Sequence, residues 1–156
     1  MKSKVKILAV VLLTVTSALA QNKKEGQMEK RVINPWKWQD DRSYVQAVEV
    51  TKPEGTLYVS GQTAIDAEGR SSTADMKTQL ILALENLEQV ISEAGYESKN
   101  IVRLNVYTTS TAELWSHFNI FQDWIKKHGI KQTSTVLEVK SLFETLKVEL
   151  EVTVVK

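Results

Sequence analysis

The chain has 156 residues, 42% of them hydrophobic, no cysteine, and 20 lysine and arginine residues against 19 aspartate and glutamate residues. This length fits one domain, and the lack of cysteine excludes a disulfide scaffold, a thiol nucleophile and a thiolate-bound zinc or iron–sulfur site. The formal net charge of +1 offers no electrostatic reason to expect nucleic-acid binding.

Residues 1–20 have the features of a secretory signal peptide. Three lysines precede an apolar run over residues 7–13, and the segment closes on Ala18-Leu19-Ala20, a small-x-small cleavage pattern. The apolar run is shorter than the roughly 20 residues that span a bilayer. We therefore expect cleavage after Ala20, export to the periplasm or secretion, and no membrane anchor afterwards. Cleavage removes three lysines, which leaves 17 basic and 19 acidic residues and a net charge of −2.

The rest of the chain is predicted to hold a polar leader over residues 21–30 and one domain over residues 31–156. The leader lacks an apolar period and is predicted to be flexible. Within the domain, residues 44–51 and 56–60 have strand patterns. The segment Lys52-Pro53-Glu54-Gly55 between them is typical of a turn, so the two strands are predicted to form a hairpin.

Gly61 interrupts the apolar run that begins with the second of these strands. A glycine inside a strand is typical of a β-bulge or of a close backbone approach. Residues 62–66 are then predicted to form a third short strand.

Two helices with clear start and stop signals are predicted next. Their starts are marked by the capping boxes Ser72-x-x-Asp75 and Ser110-x-x-Glu113, and their ends by Gly95 and Gly129. Apolar residues repeat at helical spacing in both, namely Leu80, Leu84, Leu87 and Ile91 in the first and Leu114, Phe118, Phe121 and Ile125 in the second.

Three more strands are predicted, over residues 101–108, 133–139 and 146–154. The order β-β-β-α-β-α-β-β, with helices that are apolar on one stripe only, indicates an α+β fold with two helices on one face of a sheet. The opposite face is predicted to carry Arg103, Tyr107, Glu149 and Glu151. Such a mixed face is typical of a solvated surface or of a wet subunit interface.

The residues by themselves offer little catalytic chemistry. His117 and His128 lack a metal-binding spacing, so no metal site is predicted. Trp115 is interpreted as helix packing, and Trp36 and Trp38 as packing or as a lid over a site. The remaining candidates are hydroxyls and carboxylates, at Tyr44, Ser60, Ser134, Thr135, Glu149 and Glu151.

Several segments, taken together, resemble motifs of the RidA/YjgF family. Residues 43–48, SYVQAV, resemble the opening PYSQAV motif, and residues 57–62, LYVSGQ, followed by Ile65-Asp66, resemble the LYVSGQ…ID motif. Further matches are residues 83–87, residues 101–107, Asn119 in an N…F helix, and residues 148–151, VELE. These matches run in order over residues 33–155, so the chain is identified as a member of this family.

The resemblance implies a chorismate-mutase-like fold and a homotrimer with small-molecule clefts between subunits. It also implies a cofactor-free hydrolysis of reactive enamines and imines, such as 2-aminoacrylate, to keto acids and ammonia. By position, Glu149 would position or activate the attacking water. The substrate would be bound by Tyr44, Ser60, Gly61 and Asn119.

One departure from the family pattern affects the predicted substrate. Catalytic relatives carry an arginine where this chain has Ser134, which is followed by Thr135, and both would contact the substrate. Serine offers one neutral hydroxyl, whereas the arginine guanidinium offers two parallel N–H donors. For a carboxylate ligand, this difference costs about 1.5–3 kcal/mol of binding free energy. The resemblance therefore implies weak or altered activity on imino acids, with Arg103 and Arg70 as candidate substitute cations.

Two functions stay open at this point. The first is an exported imine or enamine deaminase, and the second is a trimer that binds a small molecule without chemistry. Four site-matching residues occur together, which favours the enzyme. A role on nucleic acid conflicts with the mature net charge, because such binding depends on phosphate neutralisation.

Overall fold

The computed structural model describes residues 27–156, so the predicted signal peptide and most of the predicted leader lie outside the described residues. The elements are β1 (Glu29–Ile33), β2 (Ala47–Thr51), β3 (Thr56–Gln62), α1 (Met76–Glu93), β4 (Ile101–Thr108), α2 (Thr111–Ser116), α3 (Phe118–His128), β5 (Thr133–Glu138) and β6 (Val148–Val155). None of the helices in this part of the chain has the length and apolar character needed to cross a membrane.

Four strands form the main sheet in the order β3-β6-β4-β5. The helices α2 and α3 connect β4 to β5, which is why these two strands run parallel, whereas β3, β6 and β4 pair antiparallel. The strand β5 therefore lies at one edge of the sheet. The strands β1 and β2 pair with each other in a separate antiparallel ribbon.

The core lies between the helices and one face of the sheet. Apolar residues of α1 repeat at helical spacing and are fully or almost fully buried, namely Leu80, Leu84, Leu87 and Ile91. On β6 the alternate residues Val148, Leu150, Val152 and Val154 are buried, while Glu149, Glu151 and Thr153 are only partly buried. Burial of each large apolar side chain contributes about 1.5–3 kcal/mol. The predicted α+β fold with helices on one face of the sheet is confirmed.

The first strands differ from the prediction. Residues 47–51 pair with β1, a strand that was not predicted, instead of forming a hairpin with β3. Gly55 exchanges backbone hydrogen bonds of 2.9 and 3.0 Å with Lys156, so the chain after the turn joins β6. Lys52 adopts a positive φ of 51°. The predicted hairpin was wrong because both of its strands have other partners.

The predicted third strand over residues 62–66 is also absent from the described structure. Gln62 ends β3, and beyond it only an isolated bridge joins Ile65 to Ser71. Asn86 on α1 donates its side-chain amide to the carbonyls of Thr63 and Ile65, at 2.8 Å each. The Asn86 side chain thus makes the hydrogen bonds to these carbonyls that a neighbouring strand would otherwise make.

Two helix boundaries differ from the prediction. Asp75, not Ser72, is the N-cap of α1, and its carboxylate accepts a hydrogen bond of 2.9 Å from the Thr78 amide. The second predicted helix is divided at His117 into α2 and α3. Ser110 caps α2 as predicted, and Gly95 and Gly129 end their helices with positive φ.

Candidate functional site

The predicted site residues, apart from Asn119, fall into two groups on opposite faces of the sheet. Glu149 pairs with Tyr107, and Ser134 pairs with Leu104. Tyr107 and Leu104 are three residues apart on β4, so their side chains point to opposite faces. Leu104 is fully buried beneath the helices. Ser134 therefore faces the helices, whereas Glu149 lies on the other face, called here the outward face.

On the outward face, Glu149 lies against the backbone of Gly61. The pairing of β3 with β6 shifts register between Val59 and Gln62, which confirms the predicted irregularity at this glycine. A Cβ atom at Gly61 would lie only 1.7 Å from the nearer Glu149 carboxylate oxygen. The predicted close approach is therefore confirmed, and the group that approaches is the proposed catalytic carboxylate. Ser60, the preceding residue, is exposed.

The two carboxylates of β6 have different surroundings on the outward face. Glu151 accepts hydrogen bonds from the Asn105 amide at 3.1 Å and from the Tyr107 hydroxyl at 2.8 Å. These bonds hold the pKa of Glu151 below its ordinary value and raise the pKa of Tyr107. Within residues 27–156, the Glu149 carboxylate has no hydrogen-bond donor or ion-pair partner. Its oxygens are therefore available to a water molecule.

Thr135 also belongs to the outward face. It pairs with Asn105, which pairs in turn with Glu151, and its side chain is exposed. Thr135 is thus on the same face as Glu149 but on the edge strand β5. The structure separates it from Ser134, its neighbour in the sequence, because successive residues of a strand point to opposite faces.

On the helix face, Ser134 and Tyr44 line a cavity of about 440 Å³ beside the edge strand β5. Half of its other lining is aromatic or aliphatic, namely Trp115, Phe118, Phe121 and Val136. The rings of Trp115 and Phe118 lie 4.5 Å apart edge to face, and those of Phe118 and Phe121 lie 5.2 Å apart. The helices α2 and α3 therefore supply an aromatic wall that faces Ser134.

The loop that carries Tyr44 is fixed to the sheet by Gln132. The Val45 amide donates to the Gln132 carbonyl at 2.9 Å, and the buried Gln132 side chain donates to the Ser43 carbonyl at 2.8 Å. Ser43 adopts the left-handed conformation, with φ of 59°. These bonds hold Tyr44 beside the start of β5.

Asn119 is not part of either group. Its side chain is exposed on α3, and the preceding residue Phe118 lines the cavity instead. A shift of one residue on a helix turns a side chain by about 100°, so a positional match alone does not determine which of two neighbours faces a cavity.

Arg42 and the aromatic wall were not predicted from the sequence as parts of the site. Trp115 was interpreted as helix packing, yet it is 52% exposed and lines the cavity. Its spacing of three residues to Phe118 and again to Phe121 was the available signal. Arg42 also lines the cavity, and its guanidinium carbon lies 5.2 Å from the centre of the Trp38 ring.

The two arginines considered as substitute cations lie elsewhere. Arg70 donates to Asp66 at 2.7 Å and to Glu68 at 2.9 Å in an exposed loop. Arg103 is exposed on the outward face, where it pairs with Thr133 of β5. No group of histidine and acidic residues within residues 27–156 is arranged to hold a metal ion.

Comparison with known proteins identifies the family. The family model described as Endoribonuclease L-PSP matches residues 39–156. A RutC family protein of Aquifex aeolicus is 33% identical over 113 residues, which cover 72% of this chain and 88% of that protein. The chain belongs to the RidA/YjgF family.

Two further RidA/YjgF relatives are similar in sequence and fold. The Rid-family protein YyfB of Yersinia pestis, of unknown function, superposes with a TM-score of 0.72 at 27% identity, over 81% of this chain and 98% of that one. TdcF of Escherichia coli, named provisionally as a reactive intermediate deaminase, is 24% identical over 114 residues, 72% of this chain and 86% of TdcF. The structure of TdcF with bound serine superposes with a TM-score of 0.60, over 80% of this chain and 91% of that one.

Proposed function

We propose that this RidA/YjgF protein is an exported hydrolytic deaminase that acts on reactive imines or enamines in a cleft between copies of the chain. The observation that carries the proposal is the Glu149 carboxylate, which lies against the Gly61 backbone and has no partner among the described residues. A carboxylate in this position is suited to bind and deprotonate water. The provisional naming of the relative TdcF as a reactive intermediate deaminase supports the same reaction class.

The positions of the two groups support a cleft shared between copies. Glu149 and Ser134 extend from opposite faces of one sheet, so a small ligand cannot contact both side chains within one copy. A second copy whose outward face covers the edge strand β5 would bring its own Glu149 toward the cavity. Leu137 on β5 is 49% exposed and shares the outward face with Tyr107, which supports such a contact. A cyclic trimer repeats the contact and closes it.

The proposed reaction begins with the protonated imine, which an enamine reaches by tautomerising to the imine and taking a proton from solvent. Water attacks the imine carbon, a C–O bond forms, one water proton passes to Glu149, and the C=N electron pair moves to nitrogen. The resulting carbinolamine then collapses, so that C=O forms and the C–N bond breaks. Before the C–N bond breaks, the nitrogen takes the proton from Glu149, and it then leaves as ammonia. The proton released from the carbinolamine hydroxyl converts the ammonia to ammonium, and Glu149 is left ionised as at the start.

We further propose that activity on imino acids is weak or altered in this protein. Ser134 lines the cavity where the family resemblance places an arginine, and one hydroxyl cannot replace a two-pronged guanidinium as a carboxylate anchor. RNA cleavage is not proposed, because the cavity has a single guanidinium, Arg42, beside Asp41, whereas phosphate backbones are bound by several cations.

The test of catalysis uses two matched variants on one strand. Glu149→Gln removes the base and is expected to lower imine hydrolysis by about 100-fold or more, whereas Glu151→Gln is expected to retain most of it. Imine loss and ammonia release are measured on purified protein, with unchanged thermal midpoints as the folding control. Equal activity of wild type and Glu149→Gln would overturn the enzymatic proposal and leave the alternative, a trimer that binds a small molecule without chemistry.

Export is tested by N-terminal sequencing of the protein from its native cell. Cleavage after Ala20 predicts a first residue of Gln21 and recovery from the periplasm or the medium. A chain recovered with Met1 from the cytoplasm would contradict export without affecting the proposed chemistry.

A further inference from the structure

The hydrogen bond made by Ser134 determines what the cavity can recognise. The Ser134 hydroxyl donates its single proton to the Leu104 carbonyl at 2.9 Å. Its lone pairs remain available, so toward the cavity this hydroxyl is an acceptor and not a donor. A carboxylate needs donors, whereas an imine, iminium or amine N–H needs an acceptor. Ser134 therefore has the polarity opposite to that of the arginine it replaces.

The rest of the lining agrees with this polarity. Trp115, Phe118 and Phe121 line the cavity, and aromatic rings attract a cation or pack against an apolar group. Asp41 also lines the cavity and contributes a negative charge beside the positive charge of Arg42. The Arg42 guanidinium lies over the ring of Trp38, and Trp38 is not part of the cavity lining.

We propose that the cavity selects imines that carry an apolar or aromatic body and no carboxylate, with the imine N–H donated to Ser134 and the body packed on the aromatic wall. This inference rests on the proposed function, since it names the substrate class of that cleft. The source of such a substrate would be a reaction that oxidises an amine, because amine oxidation yields an imine without a carboxylate, whereas amino-acid oxidation yields one that has it.

The first experiment measures binding and does not require hydrolysis. The full chain is titrated calorimetrically with 2-phenylethylammonium and with 3-phenylpropionate, two probes with a similar body and opposite charge. The ammonium is expected to bind at least about tenfold more tightly. Ser134→Ala should weaken its binding by about three- to tenfold, since one hydrogen bond is lost, while Ser92→Ala on the exposed face of α1 should not change it.

The second experiment compares two imines that differ only in the carboxylate. One is produced in the assay by an amine oxidase from 2-phenylethylamine, and the other by an amino-acid oxidase from phenylalanine. The wild-type protein is expected to hydrolyse the carboxylate-free imine with at least about tenfold higher kcat/KM. Ser134→Arg, which restores a carboxylate donor, should invert this preference. A variant with an unchanged thermal midpoint is required for this comparison.

The outcomes separate this inference from the proposed function. If neither imine is hydrolysed but ammonium binding persists and depends on Ser134, the hydrolase proposal fails and the polarity of the cavity stands. If hydrolysis depends on Glu149 but the wild type prefers the carboxylate-bearing imine, the inference is overturned and the hydrolase stands. Loss of that preference in Arg42→Ala would then identify Arg42 as the carboxylate anchor.

Discussion

The contact between Gly61 and Glu149 links the backbone of one strand to the carboxylate of another. The three Glu149 atoms nearest to a Cβ at Gly61 would lie 1.7, 2.4 and 2.6 Å from it, all closer than van der Waals contact allows. All three belong to a side chain that can rotate, so a larger residue at position 61 would displace the carboxylate. Only glycine, which has no Cβ atom, leaves room for the Glu149 carboxylate at this position, so the placement of Glu149 depends on Gly61.

Gly61→Ala is therefore expected to affect both stability and activity. Overpacking predicts a loss of about 1–3 kcal/mol in the free energy of unfolding, together with reduced hydrolysis as Glu149 moves. The double variant Gly61→Ala/Glu149→Ala removes the clash and should recover much of the lost stability, which urea unfolding measures as a coupling energy. Ser60→Ala on the neighbouring exposed residue is the matched control for stability. Strictly additive effects of the two substitutions would contradict the contact.

At the scale of secondary structure, the start of α1 depends on a single carboxylate. Asp75 accepts the Thr78 amide, and this backbone hydrogen bond is the main reason why the pKa of Asp75 lies below its ordinary value. Ser72 has a different role, since its carbonyl accepts from the Gln79 amide at 3.2 Å and from the Thr145 hydroxyl at 2.8 Å.

The two residues therefore respond differently to truncation. Asp75→Ala is expected to lower the free energy of unfolding measurably, because the cap of α1 is lost. Ser72→Ala keeps the carbonyl that binds Gln79 and Thr145 and loses only its hydroxyl bond of 3.2 Å from the Ala74 amide, so its effect should be smaller. Thermal or urea unfolding of both variants measures the two losses of stability. A larger loss of stability in Ser72→Ala than in Asp75→Ala would contradict Asp75 as the N-cap and would favour Ser72, as the capping box predicted.

The polar cluster of β4 and β6 makes stability depend on pH. Because Asn105 and Tyr107 lower the pKa of Glu151, the ionised carboxylate favours the folded chain. This stabilisation is present above the pKa that glutamate has in the unfolded chain, and it is lost as pH falls through the lower folded pKa. Acidification through that window should therefore reduce stability.

Tyr107→Phe tests this sign. The substitution removes one donor to Glu151, so the pKa of Glu151 should rise toward its ordinary value. The stability difference between wild type and variant should be largest at neutral pH and should shrink in acid. Urea unfolding across that range, with an NMR titration of the Glu151 carboxyl, measures both effects. A difference independent of pH would mean that the hydroxyl acts on folding without sensing the charge of Glu151.

At the scale of the whole molecule, the proposed cleft needs two copies of the chain. Tyr44 and Ser134 belong to the helix face, and Glu149 belongs to the outward face. Neither Tyr44→Ala nor Glu149→Gln alone is expected to leave a complete site in a homotrimer. The Tyr44→Ala chain still has an intact Glu149, and the Glu149→Gln chain still has an intact Tyr44. In a trimer assembled from both variants, some interfaces therefore combine the intact Glu149 of one chain with the intact Tyr44 of the other.

Co-expression of the two variants with different tags makes this measurable. With random mixing, one interface in four combines both intact halves, so about a quarter of wild-type hydrolysis should return. Sedimentation of the purified protein should show a trimer. A monomer at micromolar concentration, or mixed trimers without any recovered activity, would contradict the shared cleft.

Hydrophobic periodicity was sufficient to predict much of this fold. The helical stripe from Leu80 to Ile91 and the alternation from Val148 to Val154 are local patterns, and burial of one face follows from them regardless of partners. The same holds for Gly61, where a glycine inside a strand indicated the close approach that Glu149 makes. The family was also recognisable from short motifs distributed along the chain.

Only the tertiary structure decided the strand partners and the face on which each site residue lies. The partner of residues 47–51 is β1, whose own sequence has no strand signal strong enough to predict it. A match to a family motif does not determine the face of the sheet on which a side chain lies. On β5, a shift of one residue replaces Ser134 by Thr133 or Thr135, and the side chain then points to the opposite face. The direction of the Ser134 hydroxyl bond is decided by the Leu104 carbonyl, 30 residues away in the chain, and such long-range contacts exist only once the chain has folded.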